Sequence, residues 1–272
     1  MAKIKKEKGT PKEPKPRKGK AGAVYALVMV VLMAVSVVLA CTVFFRVEEV
    51  EVEGNERDSA EQILTVADVE KGTNLILTPG DQIANRIQKG LPYVDRVEVR
   101  KRFPTTIRLV ITESQPVAVL PASTVIITEE GEEATAETGE VWIIDAKGKL
   151  LETTDETLAL QYATVSGLQV LNPVQGEQAK VPQDSQRRME TLLRLLQALE
   201  ERELTDHITA IDAKLVTEIS LVYDGRITAK LLSNTDFDRK LQIFEEIIAL
   251  TGDYEYRTVN LKTDVAYDSP NT

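Results

Sequence analysis

Residues 21–45 form an uninterrupted run without a single charge, and nearly all of them are apolar. As a helix rising about 1.5 Å per residue, the run reaches roughly 37 Å, enough to cross a hydrocarbon core of about 30 Å with some tilt. Nine Lys and Arg precede it (Lys3, Lys5, Lys6, Lys8, Lys12, Lys15, Arg17, Lys18 and Lys20) against Glu7 and Glu13, a net charge of +7. Residues 46–272 must therefore carry −17 to give the total of −10. Positive charge is retained on the cytoplasmic side, so the pattern predicts a disordered basic cytoplasmic tail (1–20), a membrane helix (21–45) and an extracytoplasmic body.

Other readings of the run compete with an uncleaved anchor. A cleaved secretory signal has a shorter apolar core and an Ala-x-Ala-like site, which this run lacks. Val38-Leu39-Ala40-Cys41 resembles a lipobox, but Thr42-Val43-Phe44-Phe45 keeps the segment apolar beyond the cysteine. A buried soluble helix has no need of nine basic residues on one flank.

The body has 227 residues, room for one or two domains. Cys41, the sole cysteine, lies in the apolar run, so no disulfide is available to the body. Its charge of −17 argues against nucleic acid and against adsorption to anionic lipid. With His207 the sole histidine, neither a zinc constellation nor a Cys/His pair is available, and the Ser-His-Asp template has only His207 to use. Beside Asp206 at a predicted helix end, that residue reads as structural or solvated. No Gly-x-Gly-x-x-Gly, Walker-type loop or Gly-x-Ser-x-Gly occurs. Carboxylates are plentiful, but most alternate with apolar residues as solvated faces do. Binding is the economical reading, with no catalytic residue, cofactor, metal or small-molecule substrate implied.

Along the body, Val50 and Val52 alternate with Glu49, Glu51 and Glu53 before Gly54-Asn55, a strand followed by a turn. Asp58 with Glu61, and Ser59 with Gln62, offer overlapping capping boxes. Thr78-Pro79 predicts a second helix with Thr78 as its cap, stopping at Gly90. Val97 and Val99, then Ile107, Leu109 and Ile111, predict two further strands. A three-stranded sheet with both helices on one face would bury these residues as a small α+β unit. From Pro116 onward strands dominate: 117–120, 124–128, 141–144 and 149–151, with Asp145-Ala146-Lys147-Gly148 as a hairpin turn. Residues 129–140 contain no large apolar side chain and read as a mobile surface loop. Leucines spaced for one stripe predict a helix near 184–203. Asp224-Gly225 predicts a type I′ hairpin. A helix near 236–250 and a single strand near 256–267 follow, with 269–272 frayed. A strand at a sheet edge offers unpaired N–H and C=O groups to which a partner segment can add.

These motifs together resemble the FtsQ/DivIB family of bacterial cell-division proteins. Val50-Glu51-Val52-Glu53-Gly54-Asn55 resembles the opening of that family's POTRA domain (polypeptide-transport-associated domain). Pro92-Tyr93-Val94, Val97-Glu98-Val99 and Phe103-Pro104-Thr105-Thr106-Ile107 continue it, and Glu113-Ser114-Gln115-Pro116-Val117-Ala118 closes it. Trp142 to Gly148, Asp224-Gly225-Arg226 and Lys240-Leu241 resemble the family's β domain. The resemblance implies an α+β protein: a single-pass membrane helix, a β-α-α-β-β POTRA domain (46–116) and a mixed, sheet-rich β domain with helices (117–268). It implies a non-enzymatic divisome scaffold at the cell membrane and division septum, binding FtsL-like and FtsB/DivIC-like proteins to localise and regulate septal peptidoglycan synthesis. The partner-binding residues so implied are Thr258, Asn260, Lys262 and Asp264 on the last strand, with Arg239 and Glu246 on the helix before it. An exported cell-wall hydrolase is the enzyme alternative. A POTRA-containing membrane-assembly protein is the other, although the residues after Pro116 lack the repeated strands of a barrel.

Overall fold

The computed structural model describes residues 20–127, 133–252, 255–262 and 267–270. The basic tail before Lys20 lies outside them. Helix α1 (Lys20–Phe44) is apolar from Gly22 onward and almost wholly exposed, long enough to span a membrane. Strand β1 (Glu49–Glu53) follows within five residues. Then come α2 (Ala60–Ala67), α3 (Gly80–Gly90), β2 (Val94–Arg102) and β3 (Thr106–Glu113). The three strands order as β1-β3-β2, with β1 parallel to β3 and β2 antiparallel to it. As the alternation requires, Ile107, Leu109 and Ile111 turn inward to meet Ile63 and Ala67 of α2 and Ile83 and Ile87 of α3. The acids of β1 face the other way. Glu51 takes Arg108 at 2.9 Å, and that hydrogen bond holds its carboxyl below the usual range.

Local chemistry explains the helix starts. Ser59 caps α2 in a reciprocal box with Gln62, so the Ser59 box is the one used. At α3 the expected cap is displaced: Pro79 occupies the cap position, while the Thr78 hydroxyl donates to Asn74 O at 2.8 Å.

The second domain is built on one large sheet. Its elements are β4 (Pro116–Ile127), β5 (Glu133–Asp145), β6 (Leu150–Thr154), the short α4 (Glu156–Ala159), β7 (Ala163–Ser166), β8 (Val170–Leu171), α5 (Gln186–Glu201), β9 (Ile208–Asp212), β10 (Glu218–Tyr223), β11 (Ile227–Leu232), α6 (Phe237–Leu250), β12 (Arg257–Asn260) and β13 (Tyr267–Pro270). The strand order is β13-β12-β11-β10-β9-β7-β4-β5-β6, with β8 beside β4. Helices α5 and α6 join the sheet through Leu192, Leu195, Leu196 and Leu199, and through Phe237, Leu241 and Phe244. The Asp224-Gly225 turn forms as expected, both residues having positive φ (49° and 68°).

Three expectations are corrected. Residues 117–120 and 124–128 were expected as two strands, but β4 is continuous through Pro121. A register shift between Pro121 and Ser123 accommodates the missing N–H. The acidic stretch is partly strand: Glu133 pairs opposite Ile127 and Thr135 opposite Val125, because a backbone ladder forms without apolar side chains. Residues 129–132 of that stretch lie outside those described. Finally, the expected single last strand is two strands, and Ser269 and Pro270 belong to β13 rather than to a frayed end.

A polar joint connects the domains. The Arg57 guanidinium lies 3.7 Å from the centre of the Tyr93 ring and 2.7 Å from Glu152 Oε1. Tyr93 donates its hydroxyl to the same oxygen at 2.6 Å. Burial and that acceptor push the phenol well above its ordinary pKa, so it stays a donor. Lys147 bonds Asp95 at 2.7 Å, and Lys149 donates to Val94 O. Burial lowers the Lys149 pKa, and Asp145 and Asp95 oppose that shift. Underneath, Tyr93 packs with Val119, Ile143 and Leu151 of the second domain. Glu152→Ala is expected to cost only about 1 kcal/mol, because the Arg57–Glu152 pair is half exposed. Small-angle scattering of the body should nonetheless show a broader distribution of interdomain distances. An unchanged distribution would show that the apolar contacts alone set the angle.

Candidate partner-binding edge

The large sheet has two ends, and they differ in what covers them. At the β6 end, Leu150 N–H donates to Glu177 O and Leu150 O accepts from Gly176 N–H. Gln175 Nε2 reaches Leu151 O, and Lys149 bridges Gln178. That edge is occupied by the chain's own loop. At the opposite end, β12 runs parallel to β11 and its outer side is met by the four residues of β13, antiparallel.

The direction of each β12 donor follows from the ladder. Arg257 N–H donates to Arg226 O at 3.3 Å and Leu261 N–H to Lys230 O at 2.9 Å, both on the β11 side. By alternation, Thr258 and Asn260 direct their N–H groups outward, opposite Ser269 and Tyr267. Their side chains and those of Val259 and Leu261 also part. Val259 and Leu261 are buried in the core with Phe244, whereas Thr258 and Asn260 are partly exposed. The sheet end therefore has one face under α6 and one open face.

The six sequence-derived residues do not form one patch. Thr258 and Asn260 sit on the open face. Lys262 follows β12, its N–H taken by Asn260 Oδ1 at 3.1 Å and its Nζ bonded to the Glu218 carboxylate at the head of β10. Arg239 and Glu246 are exposed two turns apart on α6, on the far side of the sheet from Thr258 and Asn260. Asp264 lies outside the described residues. Two residues that sequence reasoning passed over flank the edge: Leu250 at the end of α6 and Tyr256 just before β12, 82% and 64% exposed. An apolar residue at a helix end gives no sign in sequence of which way it faces.

His207 takes a structural place. Its ring stacks on Tyr223 at 5.1 Å, and Nδ1 lies 3.0 Å from Asp224 Oδ1. Among the described residues, no cluster of three or more His, Cys, Asp or Glu has the arrangement to hold a metal ion.

An apolar helix long enough to span a membrane, a small βααββ domain and a sheet domain fit the class of bitopic membrane proteins that carry a POTRA unit. Residues 45–114 match the model of the POTRA domain, FtsQ-type. The chain is similar to the cell division protein FtsQ of Syntrophotalea carbinolica, 23% identical over 237 residues, covering 83% of this chain and 76% of the relative. FtsQ of Geotalea daltonii is 25% identical over 225 residues, covering 80% and 74%. DivIB of Clostridium acetobutylicum is 23% identical over 180 residues, covering 66% and 64%. By this domain and these relatives, the chain carries a POTRA domain of the FtsQ type and is similar over most of its length to cell-division proteins named FtsQ and DivIB.

Proposed function

We propose that this protein is a non-enzymatic scaffold of the division machinery, with its N-terminus in the cytoplasm and both folded domains outside. It gathers FtsL-like and FtsB/DivIC-like partners at the septum and so localises and regulates septal peptidoglycan synthesis. The observation that carries this reading is the β12 edge: two outward backbone donors, Thr258 and Asn260, met among the described residues by the four-residue β13. A partner strand takes the place of β13 there, the backbone supplying affinity and the flanking side chains specificity. Leu250 and Tyr256 offer apolar contact beside it, and Arg239 and Glu246 contribute from α6. Confinement by α1 beside other single-span proteins raises the effective concentration for such a contact.

The test is capture of FtsL- and DivIC-like ectodomains by the exported body. Proline at Thr258 or Asn260 removes an outward donor and is expected to weaken capture by about tenfold, the worth of one backbone bond plus local misfit. Proline at Lys262 tests less, since its N–H is already taken internally. Deleting residues 263–272 should strengthen capture. Folded proline variants that capture as well as the parent would refute this edge as the site. Clearing on a peptidoglycan zymogram that vanishes with one carboxylate would overturn the non-enzymatic part.

A further inference from the structure

The POTRA domain is fixed to the end of α1, not merely strung from it. Leu75 N–H donates to Phe45 O at 2.8 Å, Val47 N–H to Thr73 O at 2.9 Å and Gly72 N–H to Val47 O at 2.7 Å. Asn74 is the clamp. Its Nδ2 donates to Cys41 O at 3.2 Å, while its Oδ1 accepts the N–H groups of Ile76 and Leu77. Cys41 lies about one turn inside the end of the helix, so the 74–77 loop sits beside the last turn of α1. The turn between β2 and β3 joins it there. Phe103 meets Phe45 edge-on at 5.6 Å, and Lys101 Nζ donates to Ile76 O at 2.9 Å.

Three large apolar side chains at this end face solvent: Leu77 at 79% exposure, Phe103 at 61% and Ile76 at 45%. The helix is about 37 Å long and a hydrocarbon core about 30 Å thick, so its last turns emerge at the level of the headgroups. The loop can enter that level cheaply, because the Leu75, Ile76, Leu77 and Thr78 N–H groups all have protein acceptors. The strands agree with this orientation. β1 and β3 both run away from α1, and the far end of the β2–β3 pair, Val94 opposite Glu113, meets the second domain.

We propose that Ile76, Leu77 and Phe103 form an apolar tip inserted into the outer-leaflet interface beside α1, so that the lipid surface itself is a partner of the POTRA domain. The occupant is lipid because the tip is continuous with the helix already in lipid. Insertion is apolar rather than electrostatic. Arg46, Lys71 and Lys101 lie near the tip, but so do Glu48, Glu49 and Glu70, and no net attraction to anionic headgroups results. The tip fixes the tilt of the whole extracytoplasmic body, and with it the height of the β12 edge above the membrane. It goes beyond the scaffold reading and requires only that α1 crosses the bilayer.

The test uses the full chain carrying Cys41→Ser, one chain per nanodisc of zwitterionic lipid, with single cysteines labelled by an environment-sensitive fluorophore. Labels at Leu77 and Phe103 should be blue-shifted and quenched several-fold more by lipids brominated high on the acyl chain than labels at Lys71 or Leu215. Adding anionic lipid should not change this. A label at Val31 reports whether α1 spans, separately from the tip. Deep quenching at Val31 with Leu77 and Phe103 no different from Lys71 overturns the proposal. So does a Leu77 shift that arises only in native membranes, since the occupant would then be a partner protein, seated in the adjoining groove lined by Val69, Leu77 and Ile83.

Discussion

Phe244→Ala should lower the stability of the second domain by about 3–5 kcal/mol, the range for emptying a buried phenylalanine site. Phe244 is fully buried and the largest such side chain among the described residues. It stands at the centre of α6, meets Tyr223 of β10 edge-on at 6.0 Å and shares its core with Val259 and Leu261. The helix therefore rests on the strands next to the candidate edge through this ring together with Phe237 and Leu241. At roughly 3 °C per kcal/mol for a domain of this size, calorimetry of the exported body should show a transition lower by about 10 °C. Phe244→Leu, which keeps most of the volume, should cost about 1 kcal/mol. Glu246→Ala, on the exposed face of the same helix, should stay within about 0.5 kcal/mol. A loss with Phe244→Ala no greater than with Glu246→Ala would mean that α6 is not anchored through the ring. Where the variant remains folded at low temperature, partner capture should still fall, because β12 loses the support beneath Val259.

What could be read from the sequence was what local chemistry decides. The Ser59–Gln62 box, the Asp224-Gly225 turn and the alternation of Ile107, Leu109 and Ile111 are each written within a few neighbouring residues. Pairings between distant segments left no such mark. Nothing near Glu133 indicates that it will pair opposite Ile127, since the ladder is made of backbone and the side chains there are small or charged. β13 was hidden for the same reason: Tyr267 to Pro270 carry no strand pattern, and their partner is β12. The joint of Arg57, Tyr93 and Glu152 brings together residues up to 95 positions apart. The candidate edge was legible as a backbone opportunity. Its side-chain surroundings were not, which is why Arg239 and Glu246 fall on the opposite face of the sheet from Thr258 and Asn260.

Glu113 illustrates the same limit and carries the second large effect. In sequence it reads as the acid that closes the POTRA domain. In the fold it reaches back to the Gly54-Asn55 corner and accepts the N–H groups of Glu56, Arg57 and Asp58 at 3.0–3.3 Å. That corner also needs glycine. Gly54 has φ +82°, and a Cβ there would come 2.4 Å from Ile111 O. The same carboxylate has a cost, since burial and then the charge of Glu113 push the Asp58 carboxyl up. Asp58's folded pKa therefore lies above its unfolded value, so its penalty is absent in acid and complete above the raised value. Three charge-assisted bonds outweigh it. Glu113→Ala should destabilise the POTRA domain by about 2–3 kcal/mol at neutral pH, and Glu113→Gln, which keeps one acceptor, by about half as much. Hydrogen exchange at the amides of residues 56–58 should accelerate together in the alanine variant. Because Arg57 leaves this corner to stack on Tyr93, the disturbance should also reach the interdomain joint, which Gly54→Ala should repeat without removing any charge. Slow exchange at residues 56–58 in Glu113→Ala would show that the corner holds by its backbone alone.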